Sequence, residues 1–389
     1  MIRSAIDYAK SFMHCVSDTR SRGLLKEHFR PFGKVIDVEP KVALKAAVEY
    51  LVRAQQQHAD AGMGSYHLVH GWGASYPETT GYAIPSLMAS AKFLEWPASE
   101  EAAIKAAEWL LTIQQPDGGW QGGRVGEGRP SIVFNTAQVM RGMLAVHAHT
   151  SDERFLEAAR KAALWIESVQ DPDGAWRASN FLGVARVYDT YVDAPLLLVH
   201  AITGDARLKE AAERNLRWVL EQQQVNGWFA NCDNTVRHND RPITHTIAYT
   251  IDGLLECEHL LRQTDLGVSA AKASRELLRQ FLANGTLCGR YNAQWKGSES
   301  PLMTGCAQLV ITWSTLFERT GEEPFRDGAI KMTEGLKTVQ HASLVGPLEQ
   351  RGAMPGSYPL WGRYEKFAFP NWATKYYIDA LLAVERIKK

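Results

Sequence analysis

An internal repeat constrains this chain more than any other feature. Three segments align with one another. They run Glu108-Trp109-Leu110-Leu111-Thr112-Ile113-Gln114-Gln115-Pro116-Asp117-Gly118-Gly119-Trp120, then Trp165-Ile166-Glu167-Ser168-Val169-Gln170-Asp171-Pro172-Asp173-Gly174-Ala175-Trp176, then Trp218-Val219-Leu220-Glu221-Gln222-Gln223-Gln224-Val225-Asn226-Gly227-Trp228. Each is the end of an amphipathic helix, one or more glutamines, and a turn containing Gly and Trp. Weaker copies end near Gln56, Phe281 and Gln340, so six anchors recur at intervals of 53 to 59 residues.

Between the anchors lies a second helical pattern, richer in apolar and small residues. Its starts fall near Thr79, Asn135, Thr190, His245, Thr304 and Asn371. The first set, exemplified by Asp152-Glu153-Arg154-Phe155-Leu156-Glu157-Ala158-Ala159, leaves one solvated face at helical spacing. Twelve helices alternating between buried and half-exposed types predict a closed ring of six inner and six outer helices. Strand signals are sparse. The fold class is therefore all-α, a single (α/α)6 toroid over residues 41–389, preceded by an extension over residues 1–40. The 389 residues could otherwise hold two or three average domains, and the repeat is what argues for one.

The repeats resemble those of squalene/triterpene cyclases and protein prenyltransferase β-subunits. The resemblance rests on Gln114 to Trp120 and Gln170 to Trp176, each a Gln followed at fixed spacing by Gly and Trp; the third copy departs, with Trp228 directly after Gly227. It implies the α/α-toroid superfamily. That fold also carries polysaccharide lyases, unsaturated glucuronyl hydrolases and sugar 2-epimerases, so the resemblance specifies architecture and leaves chemistry open.

Charge and cysteine usage narrow the partners. With 43 basic and 43 acidic side chains the formal charge is zero. This argues against a dedicated nucleic-acid or anionic-membrane binder, both of which need a basic excess, and leaves local patches open. No apolar run is long enough for a transmembrane segment, and Met1 to Tyr8 lacks the apolar stretch of a signal peptide. Five widely spaced cysteines without a CxxC pair fit a reduced, cytoplasmic protein.

In such a ring the inner helices run parallel, so their N-termini share one face. Glu78-Thr79, Asn135-Thr136, Asp189-Thr190, Thr244-His245-Thr246, Thr304-Gly305-Cys306 and Asn371-Trp372 can then converge. Thr, Asp and Asn at helix starts are also good N-caps, which accounts for part of the set. Capping does not account for the polar residues one and two turns further on. His245, Tyr249 and Asp252 lie at i, i+4 and i+7; Glu78 and Tyr82 are four apart; Asn135 and Gln138 are three apart; Asn371 and Lys375 are four apart. A polar stripe on a buried helix costs stability unless paired or hydrated, so it points to a lumen filled by water or ligand. A centre plugged by satisfied hydrogen bonds is the alternative.

Loops leading to this face add His70, Trp72 and Tyr76 from the first, Tyr188, Trp228 and Arg241 from the middle, and Trp361, Arg363 and Tyr364 from the last. Aromatic faces pack against sugar C–H groups or isoprenoid chains, and arginines bind carboxylates. By contrast Trp109, Trp165 and Trp218, with Trp120 and Trp176, read as braces of the outer helices.

The inventory fits an enzyme acting on an acidic, uronate-type glycan or oligosaccharide. In β-elimination, Asn135 or Arg363 would neutralise the uronate carboxylate, His245 would remove the C5 proton and Tyr249 would protonate the leaving oxygen. In hydrolysis, Glu78 would work with Asp189 or Asp252. A sugar epimerase would use His70, His238 and His245. An isoprenoid cyclase or prenyltransferase is a further alternative, although DxDD and DDxxD motifs are absent. A non-catalytic glycan-binding toroid would need only the aromatic rim. No cofactor or metal is called for: Cys232-Asp233 with His238 or His245 has zinc-ligand types at a spacing that matches no zinc pattern.

Overall fold

The computed structural model describes residues 2–33 and 37–388, which include fourteen α-helices. Helices α1 (Ile2–Ser17) and α2 (Thr19–Glu27) come first. The outer ring is α3 (Pro40–Gln56), α5 (Pro97–Thr112), α7 (Glu153–Ser168), α9 (Ala206–Glu221), α11 (Thr264–Asn284) and α13 (Glu323–Ser343). The inner ring is α4 (Pro77–Leu94), α6 (Val133–Thr150), α8 (Thr190–Thr203), α10 (Thr244–Leu261), α12 (Met303–Thr320) and α14 (Asn371–Ile387). Each inner helix packs on the next, and α14 packs back on α4, which closes the (α/α)6 toroid. Every inner helix begins within two residues of its predicted start.

The repeat is a structural clasp. Gln114 Nε2 donates to Gly118 O in its own turn (2.8 Å) and to Ala158 O on the next outer helix (2.9 Å). Gln170 does the same to Gly174 O and Ala211 O, and Gln223 to Gly227 O and Ser269 O. Gln55, one residue from the predicted anchor, bridges Ala61 O and Ala102 O. Gln340 bridges Gly352 O and Ala43 O on α3, so the last outer helix is tied to the first. The copy at Phe281 lacks the glutamine, and neighbouring Gln280 instead donates to Glu276 Oε1 and Trp295 O.

The turn glycine meets two demands at once. Gly174 has φ +91° and a Cβ there would lie 2.5 Å from Arg214 O on the neighbouring helix, so no side chain fits by shape or by backbone conformation. The tryptophan then folds under its own helix. Trp120 Nε1 donates to Leu110 O (2.8 Å) and Trp176 Nε1 to Ile166 O (2.9 Å), both rings fully buried. The inner helices approach closely through small residues: a Cβ on Gly81 of α4 would stand 2.5 Å from Val139 Cα of α6.

Short strands finish one end of the ring. Strands β1 (Tyr66–His67), β2 (Gly71–Trp72) and β5 (Ala368–Phe369) form an antiparallel sheet in the order β2-β1-β5, with Tyr66 opposite both Trp72 and Phe369. Strands β3 (Arg290–Tyr291) and β4 (Gly297–Ser298) make a second ribbon. The β1–β5 pairing joins the loop before α4 to the loop before α14. Helix α1 and the segment after α2 pack over that last loop: Tyr8 Oη donates to Trp361 O (3.2 Å), and Phe12 and Phe29 flank the Trp361 ring. No described helix is long and apolar enough to cross a membrane.

Candidate active site

The N-terminal ends of the inner helices surround a cavity of about 510 Å³. Its wall includes Tyr76, Glu78 and Tyr82 from the start of α4, Asn135 from α6, Tyr188 before α8, His245 and Tyr249 from α10, and Tyr364 and Trp372 at the last loop and α14. The size suits one or two sugar rings. Tyrosines close the floor: Tyr249 lies 4.7 Å from Tyr191 and 5.7 Å from Tyr376, and Tyr82 lies 5.7 Å from Tyr376, centroid to centroid. Beyond them a separate vestibule of about 1180 Å³ opens between the C-terminal ends of the same helices. The lumen is thus open at both mouths and blocked in the middle.

Two pairs of side chains give the pocket its chemistry. In the first, Asn135 Nδ2 donates to Glu78 Oε2 at 2.8 Å, with the Tyr76 hydroxyl 3.4 Å from the same nitrogen. Burial drives the Glu78 carboxyl up to about 7, while hydrogen bonding from Tyr76 pulls it back. Near neutral pH the site therefore holds both the acid and its anion. In the second pair, the His245 and Tyr249 rings lie 4.4 Å apart on α10. His245 Nδ1 faces Gln308 Oε1 at 2.7 Å, so Nδ1 carries the proton and Nε2 is left as the acceptor. Burial lowers the imidazole to about 4, Gln308 opposing this in part, and keeps it neutral. Burial also holds the Tyr249 phenol well above its usual range, and therefore protonated.

The rim adds residues with weaker signals in the sequence. A glycine-rich segment contributes Gly122, Gly123, Arg124, Glu127, Arg129 and Pro130. Arg129 pairs with Glu127 at 2.7 Å, whereas Arg124 forms no ion pair among the described residues. Phe134, Phe181, Leu182, Asn234 and Glu365 also line the cavity. Burial raises the Glu365 carboxyl, with Arg124 countering. The run Gly-Gly-Arg-Val-Gly-Glu-Gly at 122–128 was the available signal for the first group; the others have neither period nor motif.

Ten predicted residues lie outside this wall. Asp189 is fully buried, accepts from Asn180 Nδ2 at 2.7 Å, and burial pushes it up to about 8. Asp252 lines the opposite vestibule. Gln138 donates to Phe134 O and Tyr191 O within the helix layer. Asn371 Nδ2 ties α14 to Met63 O and Thr79 Oγ1. Trp72 stacks on Tyr50, and His70 stacks on His67. Trp228 Nε1 donates to Tyr291 O, a brace in which the shortened third repeat reaches the following loop. Arg241 pairs with Asp240, and Arg363, 79% exposed, pairs with Glu299. Trp361 is covered by α1 and the segment after α2. Asp233 is committed to Arg290 at 2.8 Å and Cys232 to Thr250. Among the described residues no cluster of three His, Cys, Asp or Glu side chains is arranged to hold a metal.

Known proteins that resemble this chain separate its fold from its chemistry. Residues 93–251 match the squalene-hopene cyclase C-terminal domain. That segment holds the two full copies of the repeat and the shortened third, together with Asn135, Tyr188, His245 and Tyr249, but not Glu78, Tyr364 or Trp372. The chain is 31% identical over 158 residues to the squalene–hopene cyclase of Zymomonas mobilis, covering 37% of this chain and 20% of that enzyme. It is 24% identical over 243 residues to the lanosterol synthase erg7A of Aspergillus fumigatus, covering 55% of this chain and 31% of the synthase. These matches therefore span less than a third of either cyclase.

Solved structures match along nearly the whole chain. An unsaturated glucuronyl hydrolase from a Bacillus species, described as responsible for glycosaminoglycan degradation, superposes with a TM-score of 0.71 at 14% identity, covering 90% of this chain and 97% of that one. A cellobiose 2-epimerase from Bacillus thermoamylovorans gives 0.69 at 12% identity, covering 88% and 96%. At such identities the likeness carries the fold alone. These relatives are enzymes, and their chemistries differ.

Proposed function

We propose that the pocket cleaves an acidic, uronate-type oligosaccharide by β-elimination. The observation that carries this reading is the juxtaposition of a protonatable Glu78–Asn135 pair with a neutral His245 beside a protonated Tyr249. The C5 proton of a uronate is acidic enough to remove only when its carboxylate is relieved of negative charge. A neutral Glu78 O–H and the Asn135 amide would hydrogen-bond that carboxylate and do so. A carboxylic acid kept neutral by an apolar site so that it can donate is a known device.

His245 Nε2 then takes the C5 proton, the electron pair forms the C4–C5 double bond, and the C4–O bond breaks. The leaving oxygen takes its proton from the Tyr249 hydroxyl, and the imidazolium returns a proton to the phenolate, which restores both groups. Tyr188, Tyr364 and Trp372 supply aromatic faces for the rings. Arg124 would anchor a further anionic group at the mouth.

Elimination is preferred to hydrolysis because the carboxyls expected to work with Glu78 lie elsewhere, Asp189 buried behind the wall and Asp252 in the other vestibule, and the two that share its cavity are offset by cations: Glu127 pairs with Arg129, and Arg124 counters Glu365. The isoprenoid reading keeps one observation in its favour, the cyclase match over residues 93–251 joined to an aromatic wall.

The pH profile tests the assignment. Elimination needs Glu78 protonated and His245 neutral, so kcat/KM should be highest between about 4 and about 7, falling below as His245 gains a proton and above as Glu78 loses one. Glu78→Gln keeps a hydrogen-bond donor without the ionisation. It should retain turnover within about tenfold and lose the alkaline limb. Hydrolysis with Glu78 as the acid predicts instead that Glu78→Gln is inactive.

A further inference from the structure

The N-terminal helices combine two properties. Helix α1 is apolar on two sides. Tyr8, Phe12 and Cys15 face the body of the protein, where they join its core. The other side carries Ile6, Met13 and Val16, a single stripe by helical spacing, exposed to 48%, 67% and 41%. Phe29, just beyond α2, is 70% exposed with only its inner side against Trp361. Isolated apolar side chains on a surface are ordinary, but a stripe backed by a second apolar face on the same helix is not.

The second property is charge. Residues 1–33 contain six basic and three acidic side chains, so this short stretch is positive within a chain whose formal charge is zero. Two of the acids are engaged locally: Asp18 caps α2 by accepting from Ser21 N at 2.6 Å, and Glu27 pairs with Arg30 at 2.9 Å. Among the described residues Arg20, Arg22 and Lys26 form no ion pair. Arg22 reaches back to Val16 O and Ser17 O, which sets its guanidinium at the end of the apolar stripe.

We propose that this helical pair docks on an anionic lipid bilayer, with Ile6, Met13, Val16 and Phe29 in the interfacial layer and Arg20, Arg22 and Lys26 on the headgroups. An amphipathic helix flanked by basic residues lies in the bilayer interface without crossing it, and polybasic flanks add attraction to anionic lipid. A second copy of the chain is disfavoured as the occupant, because pairing two such surfaces would bring like charges together. The inner side of α1 rests on the loop that reaches the pocket: Tyr8 and Phe12 touch Trp361, and the same loop carries Tyr364 and Glu365 into the cavity wall. The proposal is independent of the chemistry assigned to that pocket.

Sedimentation with vesicles tests it. The full chain is mixed with vesicles of phosphatidylcholine alone, or with about a third phosphatidylglycerol, at low and high salt. Binding is expected only to the anionic vesicles and should weaken several-fold at high salt. The double variant Met13→Glu with Val16→Glu should lose at least tenfold in partitioning, whereas Val268→Glu, an exposed apolar site on α11, should not. Arg20→Glu with Lys26→Glu provides a second variant at exposed positions, and its loss should match even if the first lowers the melting temperature. Equal partitioning of wild type and both variants overturns the proposal. So does a vesicle-independent dimer, seen by light scattering, that the Met13/Val16 variant dissolves.

Discussion

His245→Ala is expected to lower turnover on an acidic oligosaccharide by about 10²–10⁴-fold, the usual contribution of a positioned general base. The effect should fall mainly on kcat, because the Glu78–Asn135 pair and the aromatic wall remain. His245 is suited to the role by three features of its surroundings. Gln308 fixes the tautomer at 2.7 Å, burial keeps the ring neutral, and Tyr249 lies one helical turn away on the same face. Tyr249→Phe should lose activity in the same direction while leaving substrate affinity largely intact. Single-turnover and steady-state kinetics on the two variants separate the base step from the leaving-group step. Retention of full turnover by His245→Ala would remove the histidine from the chemistry.

The second large effect is on stability. Trp176→Ala should cost about 3–5 kcal/mol, the range for deleting a large buried aromatic side chain. The ring is fully buried and its Nε1–H is the donor to Ile166 O at 2.9 Å, so the substitution leaves both a cavity and a helix-end carbonyl without that partner. Trp176→Phe should recover most of the packing and none of the hydrogen bond. By contrast Trp165, half-buried on the outer surface of α7, should tolerate the same change with a smaller loss. Urea denaturation midpoints at constant slope would rank the three.

These two predictions rest on features of different legibility. The clasp was readable because each of its parts is demanded by local geometry. A turn at φ +91° against a neighbouring backbone requires glycine, and the glutamine at the helix end has two carbonyls to satisfy, so the same letters return about every 56 residues. Helix starts followed from the same spacing. The pocket was readable where helical period and helix end coincide, at Glu78, Asn135, His245 and Tyr249.

Helical period misled where distance along the axis mattered. Asp252 shares a helical face with His245, but seven residues advance about 10 Å, enough to pass the tyrosine floor and emerge at the other mouth. Gln138 shares a helix with Asn135 but turns its amide to the neighbouring helix backbone. Trp361 lies outside the pocket for another reason. Its ring is covered by Phe12 and Phe29, contacts more than 300 residues away in sequence that no local pattern announces. Glu365 sits in a loop, where side-chain direction has no period to reveal it.

Opening of a glycosidic link by formation of a double bond is tested most directly by ultraviolet absorbance of the purified protein with uronate oligosaccharides. New absorbance in the unsaturated-uronate band is expected, present with wild type and Glu78→Gln and lost with His245→Ala. Cleavage of the saturated oligosaccharide without that band, or loss of the band from a substrate already unsaturated, would contradict elimination and favour hydrolysis.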